Sequence, residues 1–405
     1  MNYKVNDKSA LEDFVLNNWQ EMNEYLCSVS KELPIPVYSS VDIRESKTKF
    51  APVDHNMYPA GFNNVCKKDL ANCAEHFKKY FLKMNEHTKH VAIIPESHTK
   101  NLFYLDHLYS LKTTVENAGF EVTIVSLDEA LMGEEKELVL TSQSSFEVKI
   151  SKGQVVSDQI VVPGKEPIDI ALLNHDQSNP LNVNWETMKT IIVPTPKIGW
   201  FKRQKNEHFT YYKMVADAFC QQFNINPDLI QAHFIAVDKI DFNTKEGLEA
   251  LGKAVDDLKA NLAPETQIFV KASQGTYGMG ISVVGSGEEI INMNRKGRNK
   301  MDVGKNNIKF TSVLVQEGVE TIVKYDDMPA EITIYLIGGK ALGGFMRANP
   351  LRSTTENLNA KGMVYKKLCL ADICKENEHT CKEAVYSVLA RLATIASAYE
   401  IKNVL

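Results

Sequence analysis

The chain reads as a mixed α/β protein in two parts, and three stretches carry that reading. HVAIIPES, a helical pattern from Asn101 to Ala118 that stops at Gly119, and FEVTIVS make a strand-helix-strand unit, which implies a parallel pair in an N-terminal sheet. AEITIYLIGGKALGGFMRA, residues 330–348, is a pair of strand-like runs about Gly338 and Gly339, the pattern of a β-hairpin. QIFVKASQGTYGMGISVVG, residues 267–285, predicts a buried strand ending in Lys271, a turn and a second β-branched strand. Gly275, Gly278 and Gly280 permit positive φ and close backbone approach. The loop they form with Thr276 and Tyr277 can therefore fold over a polyphosphate with its N–H groups turned inward.

Two commoner nucleotide motifs do not fit. These glycines run G-x-x-G-x-G and open onto a strand, whereas the Rossmann fingerprint runs G-x-G-x-x-G and opens onto a helix, and no G-x-x-x-x-G-K-[ST] occurs. Taken alone, the stretch also reads as an ordinary hairpin with a flexible turn.

Bulk properties narrow the classes. The 405 residues have room for about two or three domains. Lys and Arg total 46 against 51 Asp and Glu, a net charge of −5 without a long basic run, which argues against nucleic acid and for a small-molecule partner. No apolar run approaches the roughly 20 residues of a membrane helix, and MNYKVNDKSALEDF is too polar for a secretory signal, so a cytoplasmic protein is expected. Seven scattered cysteines fit reduced thiols better than a disulfide framework. The spacing of Cys374, His379 and Cys381 matches no zinc signature and reads as incidental thiols on a helix face.

The elements follow in order. Residues 8–28 place Leu11, Phe14, Val15, Trp19, Met22 and Leu26 at helical period, ended by Pro34 and Pro36. The long polar stretch from Ser40 to Asn64 is expected to be a binding or flexible loop. Its Arg44, Asp54, Asn56 and Asn64 suit an amino-acid-like ligand, since guanidinium pairs with carboxylate and carboxylate with ammonium. PESHTKN follows a parallel strand, where ligands of such sheets bind, and His98 within it reads as a structural histidine. Residues 137–162 suggest a hairpin about SKGQ, and IDIALLN and TIIVP are further strands. Lys197, Lys202, Arg203 and Lys205 gather ahead of a helix from Glu207 to Phe223 and are either an anion site or a solvated loop. A domain boundary is placed there: 1–195 as a substrate domain, 196–262 as a central helical part and 263–405 as the nucleotide-binding part. A helix from Lys245 to Asn261 precedes the glycine loop, and a helix from about Thr380 to Tyr399 closes the chain.

Downstream of the glycine loop the chemistry continues. SVLVQEGVE ends a strand in Gln316 and Glu317, where backbone groups can pair adenine and a carboxylate can accept ribose hydroxyls. The 330–348 hairpin carries Glu331 and Arg347, and ENLNAKGM supplies Glu356, Asn357 and Asn359, hard oxygen donors of the kind Mg²⁺ takes at a phosphate site. Strand-end lysine, glycine clamp, strand-end glutamate, acid-to-arginine hairpin and carboxylate-amide segment follow one another in the order expected of an ATP-grasp domain.

The segments SVDIR, APVDHNMYPAGFNN, PESHTKN, GWFKRQKNEHFTYY, VKASQGTYGMGI, VQEGVET and ENLNAKGM also resemble, over most of the chain, the proteobacterial ATP-grasp type of glutamate-cysteine ligase. Three positions depart from that pattern: His55 stands in place of Thr, and Phe201 and Gln204 in place of His and Arg. The resemblance implies an ATP-grasp fold with an N-terminal pre-ATP-grasp-like parallel-sheet domain. It implies ATP and Mg²⁺ as cofactors, and ligation of glutamate to cysteine through an acyl phosphate. On it, Lys271 and Lys205 hold phosphates and Gln316 and Glu317 lie by the nucleoside. Glu331, Glu356 and Asn359 coordinate Mg²⁺, Arg347 stabilises the transferring phosphoryl group, and Arg44, Asp54, Asn56 and Asn64 face glutamate. A sister ligase with other amino acids, or a non-catalytic ATP-binding regulator, would share the glycine clamp. The regulator need not retain Arg347, Glu356 and Asn359 together.

Overall fold

The computed structural model describes residues 3–199, 202–274, 280–302, 310–370 and 381–405. Two helices open the chain, α1 (Lys8–Asn17), capped by the Asp7 side chain on the Ala10 N–H, and α2 (Trp19–Ser30). The sequence predicts one helix here. It breaks because Asn18 leaves helical geometry and its amide donates back to the Phe14 carbonyl at 2.7 Å.

The expected loop from Ser40 to Asn64 is mostly sheet: β1 (Tyr38–Glu45) and β2 (Phe50–Asn56) form an antiparallel hairpin, followed by a 3-10 turn at Phe62–Asn64. The reason is legible. Ser40, Asp42 and Arg44 alternate with Val41 and Ile43, the period of a strand with one polar and one apolar face. Helix α3 (Lys67–Met84) then leads to the strand-helix-strand unit that the sequence predicts, β3 (His90–Pro95), α4 (Leu102–Asn117) and β4 (Glu121–Ser126). Its strands are parallel, and Asn101 caps α4 by accepting from the Phe103 and Tyr104 N–H groups.

A short α5 (Glu129–Met132) precedes β5 (Glu137–Thr141), β6 (Glu147–Lys152), β7 (Gln154–Val156) and β8 (Gln159–Val161). These make two hairpins, β5 with β6 and β7 with β8, so SKGQ joins the hairpins instead of turning one. The turn of the second lies at Ser157 and Asp158, both at positive φ. With β9 (Ile170–Asn174) and β10 (Ile191–Val193), the N-terminal sheet runs β10-β9-β3-β4-β6-β5, parallel except for β5.

Helix α6 (Lys205–Phe223) ends at Asn224 in the left-handed region, and β11 (Phe234–Asp238) and α7 (Lys245–Lys259) follow. β12 (Ile268–Ala272) and β13 (Ile281–Val284) are the strands flanking the glycine loop. Gly280 sits at φ +65°, and a Cβ there would meet the Ala272 Cβ at 2.5 Å, so the hairpin closes only with glycine. Helices α8 (Gly287–Ile291) and α9 (Arg295–Asp302) and strand β14 (Ser312–Glu317) complete a unit whose antiparallel sheet runs β11-β14-β12-β13.

The last strands are β15 (Lys324–Tyr325), β16 (Met328–Ile337), β17 (Lys340–Ala348) and β18 (Val364–Leu368). They join β1 and β2 in one sheet ordered β18-β17-β16-β1-β2, with β15 on β16. Strands from both sides of residue 195 therefore share a sheet, and the division at that residue is kept here as a proposal. Helix α10 (Cys381–Val404) is buried on nearly all sides from Ala384 to Ala398. It packs with α1 and α6 against the apolar face of that sheet, where Val41, Ile43, Ile332, Ile334 and Leu336 lie.

Cys66 and Cys369 form a disulfide, which corrects the expectation of reduced thiols for this pair. They are 303 residues apart, and spacing carries no trace of their meeting. Cys374 and His379 lie outside the described residues.

Candidate active site

Because side chains alternate along a strand, the face of the β18-β17-β16-β1-β2 sheet turned away from α10 collects the polar residues of each alternating run. The register arranges them in rungs. Asp42 pairs across to Asp54 on β2 and Thr333 on β16, Ser40 pairs to Asn56 and Tyr335, and Glu331 pairs to Arg347. This face is one wall of a cavity of about 900 Å³. Opposite stands the β11-β14-β12-β13 sheet, contributing Phe269, Lys271, Ile281 and Gln316, and the end of the cavity is built by Asn101, Tyr104, Asp106 and Asp176 of the N-terminal sheet region. Clefts between sheets, and the carboxyl ends of parallel strands, are where ligands bind.

Most of the residues singled out from sequence meet here. Arg44, Asp54, Asn56, Asn64, Lys205, Lys271, Gln316, Glu317, Glu331, Arg347 and Asn359 all line the cavity. Gly280 belongs to the described part of the glycine loop, while Gly275, Thr276, Tyr277 and Gly278 lie outside the described residues. Of the basic cluster, Lys205 alone reaches the cavity wall; Arg203 is buried behind it and Lys202 is exposed. Phe201 is also outside the described residues.

The charges form chains. Arg347 donates from one terminal nitrogen to Asp42 at 2.8 Å and to Glu331 at 2.7 Å, and Arg44 Nε donates to the other Glu331 oxygen at 3.0 Å. Arg44 also donates to the carbonyls of Val319 and Glu356, so its guanidinium braces the protein around Glu331. Lys205 is paired with Asp54. Lys271 donates to the Val53 carbonyl at 2.8 Å and to Gln316 Oε1 at 2.7 Å, and Lys49 meets Glu317 at 2.9 Å. Two buried donors among these residues have no partner, Arg347 Nε and Gln316 Nε2. Buried donors of that kind call for a ligand acceptor.

Environment separates the three carboxylates of this wall. Burial raises Glu331, but Arg44 and Arg347 together hold it below the usual carboxylate range, and Lys205 and Lys271 do the same for Asp54. Asp42 stays above that range: burial raises it, Arg347 opposes, and Glu331 and Asp54 push it up again. Burial brings Lys271 down to about 7, with Lys205 and Arg44 adding to the fall against the pull of Asp54.

Glu356 is the residue the structure does not bring in. Its carboxylate accepts from Arg352 at 3.1 Å and from the Ser353 N–H at 2.8 Å, within its own turn. Among the described residues, the one trio of ligand-type side chains close enough to share an ion is Cys66, Asp69 and Cys369, two of which are the disulfide. For a magnesium nucleotide the cavity nevertheless holds hard oxygen donors, Asn359 and Glu331, the latter with both oxygens accepting from Arg44 and Arg347 here.

Sequence reasoning missed Asp42, Thr333, Lys49 and Asp176. The first two had a signal, the alternation of SVDIR and EITIY, which places Asp42 and Thr333 on the faces of Arg44 and Glu331. Lys49 enters through tertiary packing alone, whereas Asp176 follows the carboxyl end of parallel strand β9, where ligands of such sheets bind. His98 packs on Tyr104 and does not line the cavity.

No helix among the described residues is long and apolar enough to cross a membrane. No curated protein matches the chain. A solved structure from Methylobacillus flagellatus KT, provisionally described as a gamma-glutamylcysteine synthetase, is 30% identical with a TM-score of 0.88, covering 97% of this chain and 96% of that one. Fainter likenesses reach a D-alanyl-alanine synthetase A from Vibrio cholerae (13% identity, TM-score 0.37, 78% and 81% covered) and a glutathione synthetase-like effector from Globodera pallida (10%, 0.41, 89% and 81%). A family model described as glutamate-cysteine ligase matches residues 12–401, and the chain belongs to that family of ligases.

Proposed function

We propose that the protein joins the γ-carboxylate of L-glutamate to the amine of L-cysteine with cleavage of ATP to ADP and phosphate, giving γ-glutamylcysteine. The observation that carries this reading is the convergence of Lys205, Lys271 and Arg347 on one cavity with Glu331, Asn359 and a polar rung of amides and carboxylates, in a chain of the glutamate-cysteine ligase family.

A γ-carboxylate oxygen attacks the γ-phosphorus as the bond to ADP breaks; the ammonium of the second substrate then gives up a proton, and the resulting amine attacks the acyl carbon as phosphate leaves with a further N–H proton. No protein nucleophile is required, so the residues act by positioning and charge compensation. Lys205 and Lys271 hold phosphate oxygens, and Gln316 and Glu317 lie at the nucleoside. Bound Mg²⁺ would neutralise phosphate charge; Glu331 and Asn359 would hold it, and Glu356 would join them only by leaving its turn. Arg347, with an unpartnered Nε, meets the transferring phosphoryl group. Asp54, Asn56 and Asn64 face glutamate, and Arg44 contributes by bracing Glu331.

The test is ADP release by purified protein with Mg²⁺-ATP and glutamate while the second amino acid is varied. Cysteine-dependent turnover with γ-glutamylcysteine as product is expected. Turnover with a different amine would move the substrate to a sister ligase, and ATP binding without turnover for any pair would leave a regulator.

A further inference from the structure

We propose that Asp42 is the residue that receives the ammonium group of the second, amine substrate, an inference that rests on the ligase reading above. It follows from comparing the three carboxylates on the polar face of the sheet. Glu331 is clasped by two guanidinium groups, Arg44 at 3.0 Å and Arg347 at 2.7 Å. Asp54 is paired with the Lys205 ammonium, with Lys271 and Arg203 also lending it positive charge. Asp42 has neither arrangement: one oxygen accepts from the Thr333 hydroxyl at 2.7 Å, and the other shares with Glu331 a single terminal nitrogen of Arg347. Of the three it has the least positive charge at hand, yet it is buried except for 15% of its side chain, which faces the cavity.

Ligand binding sharpens the deficit. A triphosphate draws Lys205, Lys271 and Arg347 toward its own oxygens, and Arg347 is already equipped for that through its unpartnered Nε. Lys205 and Arg347, in turning to phosphate, each leave carboxylates behind. An arriving ammonium is the group that restores the balance at Asp42. Position agrees. Asp42 lies one rung from Arg347 and directly across from Asp54, so an amine held there stands beside both the phosphoryl site and the glutamate side of the cavity. Thr333 fixes the carboxylate so that the ammonium is met in one place.

The discriminating experiment compares two nucleophiles in one enzyme. Hydroxylamine is largely uncharged at neutral pH and traps an acyl phosphate as the hydroxamate without any ammonium to be held. In Asp42→Asn the cysteine KM should rise about tenfold to hundredfold, the usual worth of a hydrogen bond to a charged group. The ratio of cysteine ligation to hydroxamate formation should fall with it, and Asp42→Glu should recover part of it. An unchanged ratio, with both reactions falling together or neither falling, overturns the assignment. If Asp42→Asn does not fold, as judged by its melting curve, Thr333→Val reads the same ratio with the carboxylate retained, and a fall of several-fold is expected. Wild-type protein is the control for the underlying reading: if it ligates another amine and not cysteine, the cysteine assignment fails while the ratio is measured with that amine. If it forms neither product, the proposal falls with the ligase reading.

Discussion

Two buried ionic clusters lie on opposite faces of the β18-β17-β16-β1-β2 sheet, built from the same kinds of residue to different ends. Behind the sheet, Glu400 of α10 accepts from Arg203 at 2.9 and 3.2 Å and from His208 at 2.5 Å, while Arg203 reaches the His55 carbonyl at 2.6 Å and its Nδ1 at 2.9 Å. The His55 and His208 rings stack at 4.7 Å, and burial keeps both imidazoles below their ordinary value. That cluster has its charges matched among themselves, although the Nε2 atoms of His55 and His208 are buried without a partner. It pins β2, the entry of α6 and the end of α10 together. In front, Arg44, Glu331, Arg347 and Asp42 all line the cavity, with a donor unpaired on Arg347 and one carboxylate short of charge. A buried cluster whose charges are matched within the packed interior holds a fold, whereas one short of positive charge at a cavity is set up for a ligand.

Removing a member of each cluster separates the two roles. Glu400→Ala leaves Arg203 buried without its anion and should destabilise the protein by about 3–5 kcal/mol, read as a lower melting temperature. ADP formation per folded molecule should stay near that of the unchanged protein, and a variant that kept its stability but lost turnover would merge the clusters into one machine. Arg347→Ala should do the reverse. Its turnover should fall by about 10²–10³, as for loss of a donor aimed at developing charge, with a smaller loss of stability than Glu400→Ala.

Lys271 sharpens the comparison through pH. Its ammonium sits at about 7 in the free protein, below the ordinary lysine value because it is buried. Phosphate binding favours the charged form, so above pH 7 the free protein must take up a proton to bind nucleotide. Affinity for ATP should fall as pH rises past 7, by up to about tenfold per unit. Stability of the ligand-free protein should move the other way. Between pH 7 and the unfolded lysine range the unfolded chain binds the extra proton, so this residue's contribution to stability rises with pH. Lys271→Ala should raise the KM for ATP, lower turnover and flatten both slopes; slopes that survive the substitution would assign them to another group.

How far the sequence carried depends on what kind of information each element needs. The glycine turn, the parallel unit and the 330–348 hairpin were legible because their signals are local: positive φ at Gly280, Gly338 and Gly339, and period-2 alternation. The cavity-lining residues Lys205, Lys271, Glu331 and Arg347 were legible because strand ends and helix starts announce where side chains converge. The Ser40–Asn64 stretch was misread because its polar face is as polar as a loop, although Val41 and Ile43 mark the other face. The partnership of β1 with β16, nearly 300 residues apart, the Cys66–Cys369 bridge and the Lys49–Glu317 pair depend on tertiary packing, which no local pattern encodes.

Glu356 gives the smallest expected effect and the finest test of the comparison. By type and position it belongs with the cavity cluster, yet like Glu400 it has its charge matched by protein groups: both oxygens are engaged within its own turn and its side chain is 42% exposed. Contacts to Ser353 and Arg352 hold it below the ordinary carboxylate value, the Ser353 N–H contributing most, and its own backbone carbonyl accepts from Arg44. If the turn is its only role, Glu356→Gln removes a surface ion pair worth under about 1 kcal/mol, and the Mg²⁺ titration of ADP formation keeps its midpoint. If Glu356 swings into the cavity when nucleotide binds, the midpoint moves to higher Mg²⁺ while turnover at saturating Mg²⁺ falls less. We expect the second outcome, with a shift of a few-fold. Glu331 and Asn359 are the donors proposed above, Mg²⁺ prefers a full octahedral set, and Glu356 directly precedes Asn357, which lines the cavity wall with Asn359.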